Sequence, residues 1–512
     1  MGRKLHIYYT SDTHGYLFPR SYATNQPVQE GLLSCINDYR KDENTLIIDG
    51  GDTIQGSPFT MYLNDSEMGA SSIARTLSVG GYDYVTIGNH DINYGKAYLQ
   101  DYLDHLEAKC LCANISDVKS ELPLFKSDIR TMKNGLKVAI VGITTDHINI
   151  WEKKEHLTDL KITDPFVAAK AELDKLDKSV DIKIGIYHGG FERDVDTGKV
   201  LSDSPENIAY RLADELDFDV LLTRHQHIPM ANKVINGTHI AQTPQKSEQY
   251  VFVEIEQNDN ELSITSELKK PSGDYNKVLF TELLEIEEKV QVYLDEPVGF
   301  FKEDIIPQTD KIALAFNGNP VVDFMHEVML DATGADISAT SLANEVKGFV
   351  EKVTMRDVVS TYIYPNTLKV LQIDGKLLRS AIEKSVSYFD MDADGNLSIN
   401  DAFTKPKIAH YNYDFYSVDY VADLSKPHGS RVEKIYFNDK EAQDTDVFRI
   451  VVSDYRSTGA GGYDMYKDAK ELEETADNII DIILNYFKKN KEVRVKRYPK
   501  PTFLNQGGRF GY

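Results

Sequence analysis

Residues 45–56 read TLIIDGGDTIQG: an apolar run of strand length that stops at two glycines and delivers Asp52 into the turn beyond. Aliphatic and β-branched residues favour a pleated strand, and glycine allows the tight backbone that ends it. The same construction recurs outward from this stretch. LHIYYT (5–10) runs into SDTHG, with Asp12 and His14. YDYVTIG (82–88) runs into NHDINYG, with Asn89 and His90. DIKIGIYH (181–188) ends on His188, and FDVLLT (218–223) runs into RHQH, with His225 and His227. LKVAIVGI (136–143) reads as a sixth strand. Helical patterns lie between these runs near 28–40, 95–108, 165–178 and 205–215, and alternating patterning at 233–268 predicts closing hairpins. Strands alternating with helices define a layered α/β domain. Five strands thus place Asp, Asn or His just past their C-terminal ends, the edge where open α/β sheets build ligand sites.

Each fragment alone carries little. D-x-H is commonly a capping Asp beside a surface His, and GNHD could be a plain turn, because Gly, Asn and Asp all favour turn geometry. Their coincidence at five strand ends is what points to a metal site. Imidazole nitrogens with carboxylate and amide oxygens, and no thiolate, suit Mn, Zn, Fe, Co or Ni rather than a cysteine-rich structural zinc site. Seven ligands, Asp12, His14, Asp52, Asn89, His188, His225 and His227, exceed the needs of one ion. Two divalent ions (Mn2+, Zn2+ or similar) sharing one carboxylate are expected, an arrangement suited to activating water and clamping a phosphoryl group.

The order D-x-H, GGD, GNHD, HGG and H-x-H resembles calcineurin-like metallophosphoesterases, and over nearly the whole chain the sequence resembles the 5′-nucleotidase family. The resemblance implies a four-layer α/β/β/α metallophosphoesterase domain (1–278), a connecting helix and linker (279–304) and a second α/β, nucleotide-binding domain (305–512). It further implies that Asp52 bridges the metals, that Asp12, His14 and His227 complete one site, and that Asn89, His188 and His225 complete the other. His90 would be the non-ligand histidine that stabilises the transition state or protonates the leaving oxygen. The position three residues later, commonly an Asp in the family, is Asn93; the N-Y-G at 93–95 resembles the 2′,3′-cyclic-nucleotide 2′-phosphodiesterase/3′-nucleotidase branch. An amide accepts the imidazole N–H but brings no charge of its own. Arg224 replaces the family's usual glycine before H-x-H; it is expected to face a neighbouring loop, the alternative being a bidentate contact with the substrate phosphate.

The C-terminal half resembles the same family in YIYPNTLKVLQIDGKLLRSAIEKS (362–385), YNYDFYSVDYVADLSKPHGSRV (411–432) and VVSDYRSTGAGGYDMY (451–466). The resemblance implies that Tyr411 and Tyr455 sandwich a nucleobase, with Tyr413 the alternative to Tyr411. It places Asn366 near the substrate and lets the backbone at Gly459 and Gly461 approach the ligand. Such stacking is indifferent to which base is held. An arginine-bearing loop expected before this region is replaced by ATSLANEVKGF (339–349). DMDADGNLSINDAF (390–403) has the spacing of a calcium loop but Asp401 where the bidentate Glu belongs, so it reads as an acidic surface insertion. The tail KRYPKPTFLNQGGRFGY (496–512) reads as a surface-draped end.

Composition sets outer bounds. With 512 residues two large domains are expected, and 41% apolar residues suffice for packed cores. The 81 Asp and Glu against 57 Lys and Arg, a formal charge of −24, disfavour a nucleic acid polymer as partner, which needs a basic surface. Three cysteines, Cys35, Cys110 and Cys112, form no disulfide framework. With no signal-like N-terminus and no long apolar span, the chain reads as cytoplasmic without a membrane partner, or extracytoplasmic had a signal been trimmed. The expected activity is hydrolysis of a nucleotide phosphoester, a 5′- or 3′-monoester or a 2′,3′-cyclic diester, by a metal-bridging hydroxide. The alternatives are a metallophosphoesterase for a non-nucleotide substrate and a non-catalytic nucleotide-binding protein.

Overall fold

The computed structural model describes residues 2–200, 207–226, 228–258, 261–362, 366–392, 394–405, 408–467, 469–475, 477–506 and 508–512. The chain forms two compact units, Met1–Gln291 and Val292–Tyr512, and the division falls inside the helix Lys277–Asp295.

The first unit is built on β1 (Arg3–Thr10), β2 (Thr45–Asp49), β3 (Tyr84–Val85), β4 (Lys137–Thr144), β5 (Ile182–His188) and β6 (Val220–Thr223). β1, β2 and β3 are parallel neighbours in a seven-stranded sheet. That sheet continues through Lys109–Leu111 and Leu124–Phe125 and is closed beside β1 by the antiparallel hairpin of Tyr250–Asn258 and Glu261–Lys269. β4, β5 and β6 are parallel neighbours in a six-stranded sheet, extended by Thr238–Gln242 and edged by the antiparallel strands Met230–Ile235 and Ser127–Thr131.

Burial on both faces explains why these strands read as unbroken apolar runs rather than alternating ones. Ile182, Ile184 and Ile186 of β5 share one core with Ile7, Tyr9, Leu46 and Ile48 of the other sheet. Tyr187, with Val141 and Leu221, faces the opposite way, against Ala169 and Leu212 of the helices Pro165–Leu173 and Ala209–Glu215. The connections of the seven-stranded sheet run through the helices Leu32–Asp38, Ser71–Val79 and Lys96–Asp104, which bury Cys35, Ile73, Leu77 and Leu99. Crossovers of this kind lay helices on the outer face, so the order is helix, sheet, sheet, helix, as expected. The strand at 82–88 is shorter than its apolar pattern suggests: only Tyr84 and Val85 pair, and the backbone leaves the ladder at Thr86.

The second unit is also mixed α/β. Its central sheet runs Asp414–Tyr416, Ile337–Ser341, Val447–Ser453, Leu368–Asp374 and Lys470–Glu474, with the helices Pro320–Thr333, Gly375–Val386 and Ile479–Lys489. The tail at 496–512 is not draped over the surface as expected. Thr502–Asn505 pairs in parallel with Asp419–Asp423, and Phe503 is buried against Phe316, Phe389 and Tyr420. The tail's pattern misleads because its polar, Pro- and Gly-rich flanks hide a single apolar anchor. The acidic stretch is a hairpin, Phe389–Met391 with Leu397–Ile399, whose turn is tied by Asp392 Oδ1 accepting from the backbone of Asp394 and Asn396. All three cysteines are buried and free. No helix among the described residues is long and apolar enough to cross a membrane.

Phe503→Ala removes the tail's anchor. Emptying such a site costs about 3–5 kcal/mol, so the C-terminal unit should show a lowered urea midpoint by circular dichroism.

Candidate metal centre

β1 and β2 end side by side, and their turns are stitched together: Asp12 N–H donates to Gly51 O and His14 N–H to Asp52 O. Asp12, His14, Asp52 and His225 all have positive φ, between 49° and 72°. This left-handed backbone costs a non-glycine residue about 1–2 kcal/mol, and such outliers gather where function requires them.

The turn that carries Asp52 is held by Asp91, a residue to which the sequence motifs give no role. Its buried carboxylate accepts four backbone N–H groups, from Gly88, Asp52, Thr53 and Ile54, at 2.7–3.0 Å. Burial, followed by the Asp52 charge, pushes Asp91 up to about 7, against the pull of those four donors. Asp49 sits beneath the turn, accepting from Thr10, Thr53 and Gly51, and burial raises it to about 6.

Asp52 is the centre of the cluster. Its Oδ1 accepts the His90 N–H at 2.8 Å. Its Oδ2 is buried 3.2 Å from His188 Nε2 and 3.5 Å from Arg224 Nη2, with no hydrogen-bond partner among the described residues. Two groups of side chains converge on it with ligand atoms within 4.8 Å of one another: Asp12, His14 and Asp52, and Asp52, His188 and His225. Asn89 belongs with the second group, its Oδ1 2.9 Å from His188 Nε2 and 3.0 Å from His225 Nδ1. His14 Nδ1 lies 2.8 Å from Gln55 O, so its Nδ1–H donates there and Nε2 is left to face Asp12. Burial and the Arg224 charge lower His188 to about 4, keeping its imidazole neutral as a ligand must be. Burial alone would raise Asp52, but His188, His90 and Arg224 hold it well below the usual carboxylate range. An orphaned carboxylate oxygen amid neutral imidazoles and acidic oxygens fits divalent cations. His227 lies outside the described residues.

Arg224 does not face a loop. It is fully buried, and its fork engages both oxygens of Asp12, with Nη1 2.9 Å from Oδ2. Nη1 also reaches Ser11 Oγ at 2.7 Å, and Nε lies 3.1 Å from His188 Nδ1. Short polar side chains and the bare Gly50, whose Cβ would come within 2.6 Å of Arg224 Cδ, make room for it. The expectation fails because a lone charged residue just before H-x-H ordinarily turns to water; here the acidic pocket draws it in.

His90 and Asn93 share one turn of 3-10 helix, which places residues three apart on the same side. His90 Nδ1 and Asn93 Oδ1 are 2.8 Å apart, and Asn93 Nδ2 donates to the buried Glu152 at 2.7 Å. Gly95, with φ of 82°, turns the chain out of this segment.

In the second unit, Arg456 joins the two aromatic segments. Its guanidinium donates to Asp414 at 2.8 Å, to Tyr411 O at 2.9 Å and to Ala460 O at 2.6 Å. Tyr411 is half-buried and Tyr455 is 43% exposed, whereas Tyr413 is buried, donates to Ala315 O and packs among Tyr388, Phe389 and Phe415. Tyr413 is therefore a core residue. Gly459 and Gly461 have positive φ, and a Cβ at Gly461 would meet Arg456 Nη1 and Asn412 Oδ1 at 2.3 Å. Asn366 is half-buried and its carbonyl accepts from Ile479. In the 339–349 loop, Asn344 donates to Ile408 O and Lys347 pairs with Asp357.

Two facing sheets with this cluster at their strand ends define a calcineurin-like phosphoesterase, and residues 5–229 match that family, while residues 297–468 match the 5′-nucleotidase C-terminal domain. The chain is 24% identical to the 2′,3′-cyclic-nucleotide 2′-phosphodiesterase/3′-nucleotidase of Haemophilus influenzae, over 95% of this chain and 85% of that protein. A solved Staphylococcus aureus protein, provisionally assigned as a 5′-nucleotidase and bound to α-ketoglutarate, is 30% identical with a TM-score of 0.81, covering 98% of this chain and all of that one. The NAD nucleotidase of H. influenzae shares the fold at 18% identity, with a TM-score of 0.60 over 99% of this chain and all of that one. The chain belongs to the 5′-nucleotidase family of metal-dependent phosphoric ester hydrolases.

Arg224→Met keeps most of the side-chain volume but leaves Asp12 buried without its partner. Breaking such a pair costs about 3–5 kcal/mol, so the chelator-treated variant should unfold at lower urea than the chelator-treated parent.

Proposed function

We propose that this protein hydrolyses nucleotide phosphoesters with two divalent ions bound at the strand ends of the first unit. The observation that carries the proposal is the convergence of Asp12, His14, His188 and His225, with Asn89 beside the last two, on the Asp52 carboxylate, whose Oδ2 is buried without a hydrogen bond among the described residues. In this reading Asp12, His14 and His227 would hold one ion, Asn89, His188 and His225 would hold the other, and Asp52 would serve both. Mn2+ or Zn2+ suits the donor set. Bound divalent ions supply phosphoryl charge neutralisation and lower the pKa of water.

The chain's own residues do the rest. Asp91 and the stitched β1 and β2 turns hold the donors in place, and His14, its Nδ1–H spent on Gln55 O, presents the Nε2 lone pair. Hydrolysis forms a P–O bond to water and breaks the bond to the alcohol oxygen. His90, as the imidazolium, gives its Nε2 proton to that departing oxygen and keeps the Nδ1 proton on Asn93. Tyr411 and Tyr455, at the two segments joined by Arg456, hold the nucleobase in the second unit, with the backbone at Gly459 and Gly461 alongside and Asn366 nearby. Catalytic residues thus lie in Met1–Gln291 and nucleotide-holding residues in Val292–Tyr512. The similarity to the cyclic-nucleotide phosphodiesterase/3′-nucleotidase and the Asn93-Tyr94-Gly95 sequence favour 3′-monoesters and 2′,3′-cyclic diesters over 5′-monoesters.

The test is turnover by Mn2+-loaded protein of AMP, 3′-AMP, 2′,3′-cyclic AMP and a chromogenic diester, with a chelator control. Turnover of a nucleotide that is lost with chelator is expected; turnover of the chromogenic diester alone would replace the nucleotide reading with a non-nucleotide phosphoesterase. His90→Ala should lower kcat by about 10²–10⁴-fold while leaving bound metal, counted by elemental analysis, unchanged. Tyr455→Ala should weaken nucleotide binding by about 1–3 kcal/mol, measured as a raised KM with little change in kcat.

A further inference from the structure

Asn93 sits between a ring nitrogen of His90, 2.8 Å from its Oδ1, and a carboxylate oxygen of Glu152, 2.7 Å from its Nδ2. Which end of an amide faces which partner is ordinarily ambiguous, but here the partners decide it. An ionised carboxylate only accepts, so the Asn93 NH2 must face Glu152 and the Asn93 carbonyl must face His90. A carbonyl also only accepts, so the proton of a neutral His90 must sit on Nδ1. That leaves Nε2 as the nitrogen that takes up a second proton and passes it to the leaving oxygen.

Glu152 is itself held. It follows the short helix Ile148–Trp151, is 8% exposed, and its Oε1 accepts from the Lys153 N–H at 2.8 Å and lies 2.8 Å from His156 Nδ1. The four side chains form one hydrogen-bonded line, His90–Asn93–Glu152–His156, with the charged carboxylate beyond the amide. Glu152 lies 59 residues along the chain from Asn93, and no motif marks it.

We infer that Glu152 is a positioning residue for the reaction: it orients the Asn93 amide and thereby sets which nitrogen of His90 carries the proton. The inference rests on the proposed role of His90 as proton donor. It also answers the chemical difficulty posed by Asn93, since the negative charge an aspartate would bring directly stands one residue further out.

The test uses the full chain loaded with Mn2+ for kinetics, on whichever nucleotide of the panel it turns over, and with Zn2+ for spectroscopy. Glu152→Gln offers an NH2 of its own and frees the Asn93 amide to turn over. It should lower kcat by about 10–100-fold, the usual cost of losing an outer-shell partner, with KM and bound metal within twofold of the parent. Asn93→Asp alone sets two carboxylates against each other and should also lower kcat. The double variant N93D/E152Q should recover most of the activity, because the carboxylate introduced at position 93 then accepts both from His90 and from the amide introduced at position 152. Nitrogen-15 NMR of the histidines at one fixed pH, with His90 assigned from a His90→Gln sample, should show the Nδ1–H form in the parent and a mixture in E152Q. Wild-type kcat in E152Q, a double variant no better than E152Q, or an unchanged His90 tautomer in E152Q would each overturn the inference. A chain that turns over no nucleotide sinks the proposed function instead, and the NMR result still decides the role of Glu152.

Discussion

The Asp91 carboxylate, accepting four backbone N–H groups, is the constraint on which the rest of the site depends. Three of those donors belong to the turn after β2 and one to the turn after β3, so a single side chain closes two loops on each other. Without it the buried amides of Asp52, Thr53 and Ile54 would need other partners, and a buried donor left unmade costs about 1–3 kcal/mol. The turn could then relax out of the left-handed conformation that aims Asp52 into the cluster. The His90 N–H to Asp52 Oδ1 hydrogen bond follows from the same closure, because Asp91 sits one residue beyond His90. Donor geometry in the first unit thus descends from one residue that touches none of the chemistry.

The electrostatics are built with the same economy. Asp12, Asp49, Asp52 and Asp91 are all buried where parallel strands end, and Arg224 is the cation set directly against them. Burial raises Asp49 and Asp91, and the Asp52 charge adds to the rise of Asp91. Asp52 is the exception, held low by His188, His90 and Arg224, although burial and Arg224 themselves disfavour a charged His188. Arg224 neutralises Asp12 through both oxygens, yet a carboxylate has further lone-pair positions, and Asp52 Oδ2 finds no hydrogen bond among the described residues. Charge and geometry together leave room for cations stronger than a guanidinium.

Much of this is legible in the sequence because strand ends announce themselves. An apolar run followed by glycine and a polar residue marks both an element and its exit, and five such exits, at the strand ends of two facing sheets, bring the candidate donors together. What stays hidden is whatever depends on residues that meet only in three dimensions. Glu152 is far from Asn93 along the chain and lies in no motif. Asp91 looks like the last letter of a turn, and Arg224 looks like a surface residue. The C-terminal tail misleads for a related reason: strand pairing of Thr502–Asn505 with Asp419–Asp423 is set by a neighbour some eighty residues away, and local pattern has no view of it. Tyr411 and Tyr413 cannot be separated by spacing alone, whereas burial of Tyr413 in an aromatic cluster separates them at once.

Arg456 shows how the second unit solves a similar problem with different means. For Tyr411 and Tyr455 to hold a base as proposed, the short helical turns that carry them, His410–Asn412 and Asp454–Ser457, must keep their separation, which needs a tie between them. The buried Arg456 guanidinium supplies it, binding the carbonyls of Tyr411 and Ala460 and the carboxylate of Asp414 together. Gly461 has to be bare for this to work, because a Cβ there would fall on the guanidinium. The glycines after Tyr455 therefore have a structural reason that stands without any ligand. Rigidity prepared in this way lowers the ordering cost when a substrate binds. In both units, then, a buried ion pair or carboxylate outside the direct contacts fixes the residues that would make them.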